Sequence, residues 1–341
     1  MSSWTQRLLA AALAATLSAP VLAAEVNIYS ARKEQLIKPL LDKFTEQTGI
    51  EVNLLTGKAS ALLQRLKSEG ANSPADLFLT VDAGRLHAAK AAGLLQPIDS
   101  EGLNAAIPAN LRDVDGQWYG LSARSRVVLY AKDRVSADQL SSYESLADEK
   151  WRGRICIRSS DNIYNQSLLA SMIANNGAEA AQQWAEGVVA NMARPPQGND
   201  RAQIKAVAAG ECDLAVANTY YLGTMLTSDA DDGQREAATG VGVFFPNQDG
   251  RGAHINVSGA GVTAHAQNRD AAIKLLEFFA SADSQRWYAE VNHEYPVVAG
   301  VEPSELVKSW GWPFQSDDLN ITRLGELNAE AVKVFDRAGW K

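Results

Sequence analysis

The sequence predicts an α/β protein of two lobes joined by crossing strands. Two series of short apolar strands alternating with amphipathic helices carry this expectation. A length of 341 residues gives each of two domains a core of its own. The third observation is an export signature at the amino terminus, which sets the compartment in which the folded part works.

That signature occupies residues 1–23. Arg7 supplies the positive head, 8–17 the apolar run, and Val21-Leu22-Ala23 the small-residue cleavage site. The run is too short to span a membrane, and no later segment approaches 18 consecutive apolar residues. No cysteine stands near the cleavage point, so a lipid anchor is not indicated. The formal charge is -8, and removing Arg7 with the leader brings it to -9. The expectation is a soluble monomer in the periplasm.

The mature chain begins with a strand at 25–30 and a helical pattern at about 33–48. A strand at 52–55, helical spacing over 60–66, a strand at 76–79 and a helix at 84–92 follow. The Asp- and Gly-rich stretch 112–117 is a turn, and 126–130 reads as the strand behind it. The second series has strands at 155–158, 213–217 and 240–245, with helices at about 166–175, 178–189 and 201–209. Residues 255–258 lead into the apolar stretch 259–264, then a helix at 270–280 and a helical tail at 327–338. Strands that alternate with helices in this way form a parallel, helix-covered sheet. The lobes expected are 24–125 with about 255–300, and 126–254 with about 301–341.

Composition removes several classes of function. Hydrophobic residues at 46% and charged ones at 21% are ordinary for a globular protein and argue against disorder. Forty acidic against 32 basic side chains repel a phosphate backbone, so nucleic acid is no partner. Two cysteines and four scattered histidines cannot build a cysteine-held zinc or iron–sulfur site. In an oxidising compartment Cys156 and Cys212 form a candidate disulfide; a catalytic Cys–His pair is the competing reading. Catalytic motifs are missing: Gly57-Lys58-Ala59 lacks the rest of a phosphate loop, and Gly259-Ala260-Gly261 lacks the third glycine of a dinucleotide fingerprint. The chain is expected not to be an enzyme.

The informative stretch is Ala217-Asn218-Thr219-Tyr220-Tyr221, directly after a strand. Ligands of open α/β sheets sit beyond the carboxyl ends of strands. Tyr164 holds the equivalent place after the strand at 155–158, so three phenols can face one cleft. Phenolate is a hard anionic ligand, and three phenolates balance one trivalent cation. An accompanying anion would then need positive groups, and Arg32 and Arg124 are placed to supply them.

At this point the chain resembles the periplasmic ferric-iron-binding proteins of bacterial ABC importers. The motifs are Tyr29-Ser30-Ala31-Arg32-Lys33-Glu34, Gly57-Lys58-Ala59-Ser60, Pro74-Ala75-Asp76-Leu77-Phe78, Leu121-Ser122-Ala123-Arg124-Ser125-Arg126-Val127-Val128 and Asn218-Thr219-Tyr220-Tyr221. They occur in order along essentially the whole mature chain. The resemblance implies a bilobal periplasmic-binding fold of the second topological type, with iron(III) in the interlobe cleft and an inner-membrane ABC permease as partner. The family's tyrosine pair falls on Tyr220 and Tyr221, and the further tyrosine of one branch on Tyr164.

Members with a histidine ligand carry it where this chain has Arg32-Lys33-Glu34, and the acidic ligand of some members would fall near Val81, beside Asp82. The resemblance is therefore to the branch in which three tyrosines and an exogenous anion, carbonate, hold the metal, with Arg32 and Arg124 as anion anchors. It also places Lys33, Ser60, Asp82 and Asn218 around the site and expects amide donors from the helix after Asp161. The alternatives are a binding protein for an oxyanion, phosphonate or polyamine, and an exported hydrolase.

Overall fold

The computed structural model describes residues 24–230 and 233–341; the export signature lies outside them. Eight strands form one curled sheet: β1 (Glu25–Ser30), β2 (Glu51–Thr56), β3 (Leu77–Val81), β4 (Tyr119–Ala131), β5 (Ile155–Cys156), β6 (Leu214–Asn218), β7 (Val241–Phe244) and β8 (Ile255–Val262). The order is β2-β1-β3-β8-β4-β6-β5, with β7 also on β4. In the first lobe β1 pairs parallel with β2 and β3, as βαβ connections require. In the second, β5 is parallel to β6.

The two groups meet on β4 and β8. Tyr119–Ser125 of β4 pairs with β8, whereas Arg126–Ala131 pairs with β6 and β7. One 13-residue strand thus changes partners between Ser125 and Arg126. Residues 119–125 lengthen the strand expected at 126–130, and Arg124 lies inside it. Gly259 and Gly261 are packing residues of β8. A Cβ on Gly259 would lie 2.5 Å from the Tyr119 carbonyl, so only glycine lets the two crossing strands approach. Ile255–Val262 is one continuous strand, where the sequence reading separated 255–258 from an apolar stretch.

The helices follow the expected pattern: Lys38–Thr48, Ala59–Glu69 and Ala83–Ala91 in the first series, Ile163–Asn176, Ala178–Asn191 and Asp200–Ala208 in the second. The first begins later than expected because Pro39 sits in its opening turn and a short 3₁₀ turn at Glu34–Leu36 precedes it. The strand at 155–158 closes after two residues. The carboxyl-terminal segment touches both lobes. Gly325 packs on His87 of Ala83–Ala91, and Asn328 binds Gln166 of Ile163–Asn176.

Cys156 on β5 and Cys212 just before β6 form a disulfide, with Cα atoms 5.8 Å apart and a sequence separation of 56. Neither thiol is available as a nucleophile. Closing a loop of this length removes denatured-state entropy of about 4 kcal/mol in the chain-entropy description. Replacing both cysteines by serine is expected to lower the unfolding free energy by about that amount, measured by urea denaturation. Cys212 precedes β6 whereas Tyr220 and Tyr221 follow its carboxyl end, so ligand affinity should not change.

Candidate metal centre

The second-lobe wall is built by two helix starts. β6 is fully buried, and at Asn218 the chain turns into the helix Thr219–Leu226, which places Tyr220 and Tyr221 in its first turn rather than in a loop. Their rings lie 4.4 Å apart at 35°. Tyr164 opens the helix Ile163–Asn176, where the Asn162 side chain accepts its backbone N–H at 3.2 Å. That amide is taken by the cap.

The Tyr220 hydroxyl points at the Tyr164 oxygen over 3.4 Å. This is long for an O–H···O bond. It is close to the spacing of neighbouring oxygens around a small cation that holds each at about 2 Å. Burial, then the neighbouring Tyr164 and Tyr221, push the Tyr220 phenol well above its ordinary range. Burial, then Tyr164 and Asp200, push Tyr221 up as well. Both are neutral phenols at neutral pH.

Beneath the tyrosines lies a charge cluster absent from the sequence expectation. Arg126, 1% exposed, donates to Asp200 at 2.9 Å, to Asn218 at 3.1 Å and to Asn165 at 2.7 Å. Arg158 donates to the other Asp200 oxygen. Both guanidinium carbons stand 5.9 Å from the centre of the Tyr164 ring. Arg201 stands 5.0 Å from that of Tyr221.

The first-lobe wall faces the tyrosines with Arg32, after β1, and Arg124, on β4. Glu294 joins them: Oε1 accepts from Arg124 at 2.9 Å, and Oε2 from Arg32 and from Ser122, both at 2.7 Å. Burial would raise the Glu294 carboxyl, but the two guanidiniums outweigh it and hold it below the usual range. Arg32 is fully engaged, since Nε donates to the Leu36 carbonyl at 3.2 Å and Nη1 to Ser258 at 2.9 Å. Arg124 is not. Its Nη2 meets Ser258 and Glu294, while Nε and Nη1 are buried without a partner. Its guanidinium carbon lies 5.7 Å from the centre of the Tyr220 ring. An unpaired buried donor costs about 1–3 kcal/mol, so this residue waits for an acceptor.

The two walls enclose a cavity of about 240 Å³ lined by Arg32, Lys33, Arg124, Tyr164, Tyr220 and Tyr221 among others. A larger hollow of about 590 Å³ lies outside this cleft, beside Lys132 and Lys205, and holds no tyrosine. Of the surrounding residues named from sequence, Lys33 lines the cavity and Asn218 holds Arg126, whereas Ser60 is not among its lining residues. Val81 lines it too, but Asp82 turns away. Its carboxylate caps Gly84 and accepts from Ser167 and Asn256, tying the first lobe to a second-lobe helix and to β8. Among the described residues no three His, Cys, Asp or Glu side chains group as metal ligands, and the cavity's oxygen donors include the three phenols and Glu294, whose carboxylate is taken up by the arginines and Ser122.

Sequence reasoning missed Glu294, Arg126, Arg158, Asp200 and Arg201. A charged residue heading the apolar strand Arg126-Val127-Val128-Leu129 was a legible sign of a buried ion pair. Glu294 carried none, because its partners are 170 and 262 residues away.

Two α/β lobes sharing crossing strands, with an oxygen-rich cavity between them, define a solute-binding protein. Residues 39–312 match the family described as bacterial extracellular solute-binding protein. The chain is 52% identical to iron uptake protein A1 of Synechocystis sp., over 93% of this chain and 88% of that one. It is 30% identical to the major ferric iron-binding protein of Neisseria meningitidis, over 98% of each. Among solved structures, the Trichodesmium protein IdiA (FutA) in complex with iron and citrate ligands superposes with a TM-score of 0.90 at 52% identity, covering 93% of this chain and 100% of that one. The ferric binding protein from Campylobacter jejuni does so with 0.87 at 42%, covering 93% and 100%. The protein belongs to the bacterial extracellular solute-binding protein family, in its ferric iron-binding group.

Proposed function

We propose that this protein binds ferric iron in the periplasm, as a monomer, and delivers it to an inner-membrane ABC permease. Tyr164, Tyr220 and Tyr221 hold the ion as tyrosinates, and a synergistic anion, carbonate or bicarbonate, completes the shell. The residues 24–125 with about 255–300 and 126–254 with about 301–341 act as the closing lobes, once the leader 1–23 is removed. The observation that supports this best is the pair of phenol oxygens at 3.4 Å facing an arginine with two buried, unpartnered nitrogens. Arg124 supplies the direct contact to the anion, and Arg32 fixes the carboxylate that orients it.

Release needs no catalysis, because protons compete with the metal for the phenolates. Uptake therefore displaces three protons per ion, one from each phenol, and affinity falls as the pH is lowered. Ferric nitrilotriacetate added to metal-free protein in weak buffer containing bicarbonate measures this, after correction for the protons of the chelator and of the anion. About three protons per iron is the expected result. None released would contradict tyrosinate ligation and favour an oxyanion or polyamine as cargo.

A further inference from the structure

We propose that Glu294 selects the charge of the anion that accompanies the metal, an inference that rests on the ferric reading of the cavity. Glu294 is the one acidic side chain among the described residues that line it. It is 3% exposed, and both of its oxygens are spent on the two arginines and Ser122. Its position is fixed by the backbone. The next residue, Tyr295, exchanges two hydrogen bonds of 2.8 Å with Ala123, the residue before Arg124. This bridge sets the carboxylate against Arg124 with no freedom to withdraw.

The consequence is electrostatic. Arg32 and Arg124 carry two positive charges, and Glu294 cancels one, so these three offer a single net charge to an incoming anion, beside the charges of Lys33 and Arg201 that also line the cavity. Three tyrosinates already neutralise the ferric ion. A site built this way favours a small anion of low charge, such as bicarbonate, over one of higher charge, such as phosphate. Glu294 also occupies one edge of Arg124, so the acceptor can reach only the Nε and Nη1 that are left. The carboxylate touches neither iron nor anion; it is a positioning residue whose effect is read in anion preference.

The test is a ferric titration of metal-free protein, followed by its visible phenolate-to-iron band, with bicarbonate or inorganic phosphate as the only anion. The quantity read is the ratio of the two anion concentrations that give half the band. In Glu294→Gln, which keeps the shape and removes the charge, this ratio should move toward phosphate by at least about tenfold. In Arg32→Gln, which keeps the Glu294–Arg124 pair and lowers the group's charge by one, it should move the other way. Glu294→Asp should stay near the parent protein. A structural lesion alone would weaken both anions together and leave the ratio unchanged. If Glu294→Gln does not fold, the shift in Arg32→Gln decides the matter. A one-equivalent band with an unchanged ratio in the folded variants would overturn the role of Glu294 and leave the ferric reading intact. The absence of any band in the parent protein would instead remove the ferric reading itself.

Discussion

Replacing Tyr220 by Phe is expected to weaken ferric iron binding by about 3–5 kcal/mol, roughly two to four orders of magnitude, and to leave the fold intact. The change removes one oxygen whose protein contacts include the 3.4 Å approach to Tyr164. The ring stays, and so does its packing 4.4 Å from Tyr221 and beside Arg124. On the protein side the loss is confined to its hydrogen bonds with Tyr164 and Tyr221. With iron bound, the same oxygen is a full charge in a water-poor cavity, and its loss leaves the trivalent ion under-neutralised. Competition against a ferric chelator measures the affinity, and thermal unfolding of the metal-free protein measures the fold. Unchanged affinity would remove Tyr220 from the metal.

Replacing Asp200 by Ala is expected to act on both stability and site. Asp200 is fully buried and accepts from Arg126 on one oxygen and Arg158 on the other. Its removal leaves Arg126 inside the lobe with neutral acceptors alone, a change that costs about 3–5 kcal/mol of unfolding free energy. Both arginines flank the Tyr164 ring, so the loss of their shared anchor also frees the ring from its place beside Tyr220. Urea denaturation should show the destabilisation, and ferric affinity should fall with it. Asp200→Asn keeps the shape and one acceptor oxygen but sets an NH2 donor against the other arginine, so it should also destabilise, by less than Ala. An unfolding midpoint equal to the parent's would show that the pair of arginines does not depend on this carboxylate.

The parts of this arrangement legible in the sequence are those with a local signature. The βα alternation and the position of the tyrosines beyond the end of β6 could be read because hydrophobic periodicity and strand-end chemistry are short-range signals. The three tyrosines and Arg124 could be named for the same reason: each follows a strand or lies in a quoted motif. What escaped depends on distant parts of the chain. The crossing strand β4 gives no alternating pattern, since 12 of its 13 residues are buried between layers and two of those are arginines. The short helices 219–226 and 282–292 were missed. The first opens with Thr219-Tyr220-Tyr221, poor helix formers, and tertiary packing overrides that propensity. Glu294 is intelligible only once the hydrogen bonds of Tyr295 set it beside Arg124.

The most direct test of the account is a visible absorption titration of metal-free protein with ferric iron, with and without bicarbonate. Tyrosinates on iron give a broad charge-transfer band. The account predicts that this band grows to saturation at one equivalent with bicarbonate present and is lost without it. No band under either condition would contradict tyrosinate binding of iron and leave Tyr164, Tyr220 and Tyr221 as the lining of a cleft for another solute.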